Sequence, residues 1–304
     1  MRAELLACDW GTTNLRAWTL DGEGQVVAEA DFDLGVSTLG PGEAARRFAD
    51  TVRPKLQAED LPAIVCGMAG SDRGWIGAPY LEIPGDLAKL AAGLVTTPGE
   101  GPLARIVPGL RCRRLDGEPD VMRGEETQIA GWLAQDAARR EGRRLICHPG
   151  THTKWVMVEE GRIERFVTAM SGELFALLTR HSLMRTEAPA EDPALFDEGL
   201  KAAGAGDALA ARLFAGRARV VTGLRPAEST AAFLSGVLIG ADVASSPALL
   251  GLARVEGVEL MGDERLCGWY RRALQARGIK SEFHSGEAAA VAGLFALHRR
   301  AEAP

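Results

Sequence analysis

Two short turns carry the residue types that surround a phosphate group. Their glycines and threonines are Gly11, Thr12 and Thr13 in the first turn, and Gly150, Thr151 and Thr153 in the second. Backbone N–H groups and hydroxyls in such turns donate hydrogen bonds to an anion, and glycine lets the anion approach the backbone closely. Glycine and threonine also suit plain hairpin turns, so either turn alone is weak evidence for a ligand. Together, the two turns could hold the phosphate chain of a nucleotide from both sides.

The copies of this turn differ at the end of the strand that precedes it, where the first has Asp9 and the second has His148. A carboxylate at this position can bind Mg²⁺ or orient a reacting oxygen, so Asp9 is a candidate catalytic residue and metal ligand. Capping of the adjacent turn is the alternative role for Asp9. Lys154, just after the second turn, could reach a phosphate or simply begin an exposed strand.

The elements that must position these residues form a repeated pattern. Gly150 follows Gly11 by 139 residues, and Gly161 follows Gly22 by the same 139 residues. Each copy predicts three strands and two tight turns, with the strands over residues 4–9, 15–20 and 25–32 and over residues 144–148, 154–158 and 163–170. We interpret this as a structural duplication in which a β-meander opens each of two domains, residues 1–140 and 141–304.

The rest of the chain predicts mainly helices. They are expected over residues 42–57, from about Met122 to Arg140, and over residues 196–200, 208–214, 228–241 and 264–277. Buried strands are expected over residues 62–66 and 255–261, and a glycine-rich loop over residues 67–75. A tail helix over residues 286–298 is rich in alanine and glycine, so we expect it to pack closely against a neighbour, with the first domain as one candidate.

Composition argues against several classes of protein. The 304-residue chain has a net charge of −6, which disfavours a protein that coats nucleic acid with clustered cations. Its five cysteines include no C-x-x-C pair, which disfavours a zinc knuckle and predicts a reducing, cytoplasmic compartment. No apolar run approaches the roughly 18 residues of a membrane span, so no membrane partner is expected. The G-x-x-x-x-G-K-[ST] phosphate loop is also absent from the sequence.

Five motifs, in order and at family-like spacing, resemble the 2-dehydro-3-deoxygalactonokinase family of the sugar kinase, hexokinase, actin and Hsp70 superfamily. They cover residues 9–18, 67–71 with 74–75 and 78–80, 121–128, 149–156, and 171–174. The similarity extends from about residue 5 to about residue 295. One departure concerns the second phosphate loop, which usually opens with an aspartate in the superfamily, whereas this chain has Cys147-His148-Pro149. The general base therefore cannot be taken from that position.

The resemblance implies an α/β fold with two ribonuclease-H-like (actin-like ATPase) domains, each with a mixed sheet that opens in a β-meander, around a central cleft. It implies an ATP- and Mg²⁺-dependent kinase that phosphorylates the 6-hydroxyl of 2-dehydro-3-deoxy-D-galactonate in galactose or galactonate breakdown. The expected partners are this sugar acid and ATP, without nucleic acid or membrane, and a homodimer is left open. A kinase of another sugar or keto acid and a non-catalytic ATP-gated protein are the alternatives.

The resemblance also implies roles for further residues. Glu125 or Glu126, at the start of a helix, would be the general base, kept ionised by the helix dipole; the alternative is a pair of capping glutamates. Arg73 or Arg123 would bind the substrate carboxylate, with surface ion pairs as the alternative. The other residues assigned to ligands are Gly70, Ser71 and Trp75 for the sugar acid and Gly262 for the adenosine. A plain strand-to-helix turn is the alternative role of Gly262.

Overall fold

Two mixed β-sheets organise the protein, whose computed structural model describes residues 2–98, 101–187, 191–205 and 207–303. The strands are β1 Leu5–Trp10, β2 Leu15–Leu20, β3 Val26–Phe32, β4 Ala63–Gly67, β5 Tyr80–Glu82, β6 Val95–Thr96, β7 Ala104–Ile106, β8 Gly109–Arg113, β9 Pro119–Met122, β10 Arg143–His148, β11 Thr153–Glu159, β12 Arg162–Ala169, β13 Gly257–Gly262 and β14 Lys280–Ser285. The α-helices are α1 Glu43–Arg47, α2 Arg53–Lys55, α3 Leu87–Ala92, α4 Glu125–Gln135, α5 Ser171–His181, α6 Pro193–Ala203, α7 Leu209–Val221, α8 Thr230–Leu249, α9 Glu264–Ala276 and α10 Gly286–Glu302.

The two main sheets share one topology. The strand order is β3-β2-β1-β4-β7-β6 in the first and β12-β11-β10-β13-β14 in the second. In each sheet the first three strands form an antiparallel meander, and the next strand runs parallel to the first one. The predicted opening of each half in a β-meander is therefore confirmed. Because β1 and β10 lie inside their sheets, the turn after each lies where parallel strands end, the usual location of ligands in such sheets.

An apolar core lies between the two sheets. Side chains of β1 and β4, such as Leu5 and Ile64, belong to the same buried cluster as Ile146 of β10 and Met261 of β13. Helices α4 and α10 contribute to this cluster from both halves of the chain. Burial of this apolar surface stabilises the arrangement of one sheet relative to the other.

Helices α4 and α10 cross at backbone contact. A Cβ atom added to Gly131 of α4 would lie 2.0 Å from the carbonyl oxygen of Ala289, and one added to Gly293 of α10 would lie 2.1 Å from that of Thr127. Only residues without a side chain fit at these two positions, as the small-residue pattern of the tail helix predicted. The crossing fixes the first turn of α4 beside the ends of β1 and β10.

Several boundaries differ from the sequence-based expectations. The helix expected from Met122 begins at Glu125, because Pro119–Met122 forms β9 and Gly124 has a φ of +109° that a helix does not continue through. The helix expected over residues 42–57 is divided by a π-helical segment, Phe48–Val52. The sheet of β5, β8 and β9, the edge strand β14 and helix α5 were not predicted. The strands are short and β14 is largely polar, whereas α5 has apolar residues at helical spacing that could have indicated it.

One helix corrects the expectation about membrane-length segments. Residues 227–249 are long and apolar enough to cross a membrane by length and composition alone. However, 72% of the most apolar window of this segment is buried inside the protein, which is the pattern of a core helix.

We predict that Gly131→Ala destabilises the fold, whereas Gly268→Ala in α9 does not. Alanine in a helix interior normally stabilises by about 1 kcal/mol relative to glycine, and an added Cβ at Gly268 meets nothing within 4 Å. At Gly131 the collision with α10 should reverse the sign and lower the free energy of unfolding by about 1–3 kcal/mol. Urea denaturation of both variants measures this difference, and a gain in stability for Gly131→Ala would contradict the described crossing.

Candidate active site

A cleft of about 410 Å³ opens where the two sheets meet. Eight of the residues predicted from the sequence line it: Asp9, Gly11, Thr12, Arg123, Glu125, Gly150, Thr151 and Lys154. The other predicted residues are absent from its lining in the part of the chain that the structure describes: Thr13, Gly70, Ser71, Arg73, Trp75, Glu126, Thr153 and Gly262. The two turns and the start of α4 therefore face one space.

The first turn is held in place by a hydrogen bond within the turn and by hydrogen bonds from the segment that follows β3. The Gly11 N–H donates to the carbonyl oxygen of Asn14 at 2.8 Å, which closes the hairpin between β1 and β2. The carbonyl oxygen of Thr12 accepts hydrogen bonds from the N–H and the hydroxyl of Ser37 at 3.0 and 2.7 Å. The side chains of Thr12 and Thr13 are exposed.

The second turn is anchored to the start of α5. The N–H of Glu173 donates to the carbonyl oxygen of Thr151 at 2.9 Å, and His152 Nε2 lies 2.6 Å from the Glu173 carboxylate. Thr153 is fully buried, and its hydroxyl pairs with the hydroxyl of Tyr270 at 2.9 Å. The expectation that the Thr153 side chain faces the phosphates is thus corrected, because its hydroxyl is used inside the protein.

Asp9 lies at the cleft floor in a setting that disfavours its charge. Burial raises the pKa of Asp9, and the nearby Glu125 carboxylate acts in the same direction. Hydrogen bonds from Cys66 and Gln128 oppose this shift of the Asp9 pKa. A cation placed beside Asp9 would relieve the same penalty, so the site favours a bound positive charge.

A buried lysine meets Glu125 across the cleft. Lys154 is only 4% exposed, and its Nζ lies 3.3 Å from Glu125 Oε1 and 3.2 Å from the carbonyl oxygen of His152. The other oxygen of Glu125 accepts a hydrogen bond from the backbone N–H of Arg123 at 3.1 Å. The pair joins the second meander to the first turn of α4, so it connects the two halves of the molecule.

The neighbouring Glu126 points away from the cleft and is fully buried. Both of its oxygens accept from the backbone N–H of Gly124, at 2.9 and 2.8 Å, and one also accepts from the Thr127 hydroxyl. Burial raises the pKa of Glu126 to about 7, and the Glu125 carboxylate adds to the shift. Successive helical residues diverge by about 100°, which explains why only one of the two glutamates faces the cleft.

Arg123 is the predicted substrate-binding residue that lies in the cleft. Its guanidinium stacks over the Tyr80 ring at 4.2 Å, and its Nη2 donates to the carbonyl oxygen of Ala78 at 2.8 Å. Gly70 lies directly behind it, since an added Cβ there would be 2.6 Å from Arg123 Nη1. These contacts hold the arginine side chain against one wall of the cleft.

The remaining predicted residues of the glycine-rich loop either make contacts inside the protein or face solvent. The Ser71 hydroxyl donates to the carbonyl oxygen of Met68 at 2.8 Å. The Trp75 ring packs against Phe48, with ring centres 4.8 Å apart, and against Trp10. Arg73 is exposed to solvent. Their expected contacts with a substrate are therefore not supported by their positions.

Sequence reasoning missed two polar contacts in the cleft. Gln128 lies one helical turn after Glu125, where its amide oxygen is 2.7 Å from His148 Nε2 and its side chain also bonds Asp9. The i, i+3 spacing from Glu125 was the available signal. Asp120 of β9 accepts from the N–H and hydroxyl of Thr168 in β12, at 2.8 and 2.6 Å. No local pattern marks this second pair, because it joins distant strands.

A second cavity, which we call the α8 cavity, lies between α5, α8 and α9. Its volume is about 320 Å³, and its walls include Phe175, Leu238 and Trp269. Gly150 lines both the cleft and this cavity, so the two spaces meet at the second turn. Within the described chain Asp263, rather than the predicted Gly262, contributes to its lining. Gly262 lies beside the second turn, where an added Cβ would be 3.5 Å from the Pro149 carbonyl oxygen.

Comparisons with known proteins agree along nearly the whole chain. The profile of the 2-keto-3-deoxy-galactonokinase family matches residues 9–297. A protein of Escherichia coli (strain K12) named 2-dehydro-3-deoxygalactonokinase is 36% identical over 296 residues, which are 97% of each chain. A protein of Rhizobium meliloti (strain 1021) named as a probable 2-dehydro-3-deoxygalactonokinase is 38% identical over 303 residues, 96% of each chain.

The fold has the same relatives. A crystal structure from Sinorhizobium meliloti, provisionally named a 2-dehydro-3-deoxygalactonokinase protein, superposes with a TM-score of 0.86 at 36% identity, covering 97% of this chain and 98% of that one. The predicted α/β fold, with two ribonuclease-H-like halves around a cleft, is confirmed. By sequence and by structure, the chain belongs to the 2-keto-3-deoxy-galactonokinase family.

Proposed function

We propose that this protein transfers the γ-phosphoryl group of ATP to the 6-hydroxyl of 2-keto-3-deoxygalactonate. The observation that carries the proposal is the convergence of both glycine–threonine turns, Glu125, Lys154 and Arg123 on one cleft, in a chain of this family. Phosphoryl transfer depends mainly on positioning and on neutralisation of charge, and this cleft offers groups for both tasks.

ATP would span the α8 cavity and the cleft. The largely apolar α8 cavity suits the adenosine, and Gly150 marks the passage into the cleft. The phosphates would then lie between the first turn, with Gly11, Thr12 and Thr13, and the second turn, with Gly150 and Thr151. Backbone N–H groups and threonine hydroxyls supply the donors that such anions need.

The Asp9 carboxylate is a suitable ligand for Mg²⁺. Asp9 offers carboxylate oxygens at the cleft floor, and Mg²⁺ in phosphate sites is usually held by one or two carboxylates together with the phosphates. The penalty that burial and Glu125 impose on the charge of Asp9 would be relieved by a cation. When bound, Mg²⁺ neutralises phosphate charge and orients the phosphate chain.

Lys154 is suited to the transferred phosphoryl group. Its ammonium carries three N–H donors, of which the Glu125 carboxylate and the His152 carbonyl oxygen take two. A γ-phosphate oxygen can therefore accept the third. In this arrangement Lys154 stabilises negative charge on the moving group, and Glu125 lies within reach of the same reacting atoms.

We assign the general base to Glu125 and a structural role to Glu126. Glu125 lines the cleft, and its carboxylate can accept the proton of the 6-hydroxyl as the oxygen attacks phosphorus. Glu126 is buried and its oxygens are bonded to Gly124 and Thr127, so it stabilises the start of α4. Arg123 would bind the substrate carboxylate, for which a guanidinium is well shaped.

We also propose that the protein works in a reducing cytoplasm. All five cysteines, each within the described residues, are unpaired and buried, which supports this compartment.

The kinase activity can be tested with a panel of substrates. Release of ADP should be measured with Mg-ATP and 2-keto-3-deoxygalactonate, its gluconate epimer, galactonate and galactose. Turnover confined to the 2-keto-3-deoxy acids would support the proposal, and turnover only with galactose would overturn it.

Replacement of the proposed base should abolish most turnover and leave nucleotide binding intact. We expect Glu125→Gln to lower kcat by about 10²- to 10⁴-fold, because the 6-hydroxyl loses its proton acceptor, while the Kd for ADP changes little. Glu126→Gln is the matched control and should retain a kcat much closer to wild type. Steady-state kinetics and calorimetric ADP titrations measure both effects, and equal losses of kcat would contradict the assignment.

The anchor of the sugar acid is tested by two arginine variants. Arg123→Ala should raise the KM for 2-keto-3-deoxygalactonate by about 10- to 100-fold, the loss expected for a charge-assisted hydrogen bond. Arg73→Ala should leave this KM unchanged, because Arg73 is exposed and is not among the described residues that line the cleft. An unchanged KM in Arg123→Ala would remove Arg123 from the substrate site.

Glu126 should make stability depend on pH. The pKa of Glu126 is about 7 in the folded protein and about 4.5 in the unfolded chain, so the folded state binds this proton more tightly. The contribution of Glu126 to the free energy of unfolding is therefore complete below pH 4.5 and is lost as the pH rises through 7. Relative to Glu126→Gln, the wild-type free energy of unfolding should fall by roughly 2–3 kcal/mol between pH 5 and pH 8. Urea denaturation of both proteins at the two pH values gives this difference, and a constant gap would refute the shifted pKa.

A further inference from the structure

A buried carboxylate in the middle of α8 lies outside the cleft and has no part in the proposed chemistry. Asp242 is 5% exposed. Its Oδ1 accepts hydrogen bonds from Trp155 Nε1 at 2.8 Å and from the Ser246 hydroxyl at 2.6 Å. Its Oδ2 accepts from the Ser171 hydroxyl at 2.9 Å and from the Tyr270 hydroxyl at 2.6 Å. Two oxygens facing four donors form the arrangement that suits an ionised carboxylate.

The hydrogen bonds around Asp242 have a defined direction. The Tyr270 hydroxyl has one proton, which it donates to Asp242, so at its 2.9 Å contact with the Thr153 hydroxyl it must accept. The chain of donation therefore runs from Thr153 through Tyr270 to Asp242. Burial raises the pKa of Asp242, and the four hydrogen bonds oppose this shift.

The donors to Asp242 include walls of the α8 cavity. Ser171 and Tyr270 line that cavity, and Ser171 is also the first residue of α5. Thr153 begins β11, immediately after the second turn of the cleft. One carboxylate thus holds α5, α9 and the end of the second turn in fixed relative positions.

We propose that Asp242 is a positioning residue for the nucleotide, which sets the α8 cavity and the second phosphate turn relative to each other. The inference rests on the proposed function, in which adenosine occupies this cavity and the phosphates lie at this turn. Asp242 itself contacts neither group. Its effect is to keep the two halves of the nucleotide site at the spacing of one ATP molecule.

Two of the donors to Asp242 form a matched pair. Ser246 and Tyr270 each donate at 2.6 Å, but Ser246 lies one turn along α8 itself, whereas Tyr270 connects the cavity wall to Thr153. Removal of either hydroxyl takes one hydrogen bond from a buried carboxylate. Only removal of the Tyr270 hydroxyl breaks the connection between the cavity and the turn.

The test compares Tyr270→Phe, Asp242→Asn and Ser246→Ala in the full chain. The Kd for ADP, the KM for ATP, the KM for the sugar acid and the melting temperature are measured for each. Tyr270→Phe should raise the Kd for ADP and the KM for ATP by about three- to tenfold, the range for one hydrogen bond, and Ser246→Ala by less than about twofold. Asp242→Asn should lie closer to wild type than Tyr270→Phe, because its new NH₂ group can donate to the Tyr270 hydroxyl, which then donates to Thr153. The chain of hydrogen bonds is thereby reversed but not broken. The KM for the sugar acid at saturating ATP should stay unchanged in all three.

The possible outcomes separate this inference from the proposed function. The nucleotide affinity could fall equally in Ser246→Ala and Tyr270→Phe, in proportion to the fall in melting temperature. This result would show that Asp242 has a purely structural role, and it would overturn the inference. A nucleotide affinity that stays at the wild-type value in Tyr270→Phe would also overturn it while leaving the kinase proposal intact. A wild-type protein that binds no ADP would instead remove the proposed function, and this inference with it.

Discussion

The backbones of α4 and α10 touch where Gly131 meets Ala289 and Gly293 meets Thr127, and this contact determines where the cleft can form. The helices come from opposite halves of the chain and lie in the core between the two sheets. A side chain at either glycine would push the helices apart and carry the start of α4 away from the second sheet. With the helices in contact, the first turn of α4 lies between the ends of β1 and β10, where Glu125 reaches Lys154.

The duplicated meanders supply similar backbones and different charges. Equivalent positions hold Asp9 in the first copy and His148 in the second, and the position of Lys154 corresponds to that of the buried Leu15. The first half thus brings carboxylates to the cleft and the second half brings the lysine. We expect the two facing turns to hold the phosphate chain, with carboxylates on one side of the transferred phosphoryl group and an ammonium on the other.

Features that depend on neighbouring residues could be predicted from the sequence, and so could the close packing of the tail helix, whereas most side-chain pairings between distant elements could not. The strands of both meanders and the turns at Gly11 and Gly150 follow from local apolar runs and turn residues. The choice between Glu125 and Glu126 required the helix start, which the positive φ of Gly124 sets three residues later than its apolar pattern indicated. Asp242 gave no signal, because its donors come from β11, α5 and α9 as well as from its own helix. The glycine-rich loop gave a misleading signal: Trp75 belongs to an aromatic cluster with Phe48 and Trp10.

We expect Glu125 and Lys154 to act on the same phosphoryl transfer across one cleft. A crystal structure with a non-hydrolysable ATP analogue and 2-keto-3-deoxygalactonate would show whether they do. The 6-hydroxyl should lie within about 3 Å of the Glu125 carboxylate, and a γ-phosphate oxygen within about 3 Å of Lys154 Nζ. A sugar acid whose 6-hydroxyl faces another side chain, or a γ-phosphate outside the cleft, would contradict it.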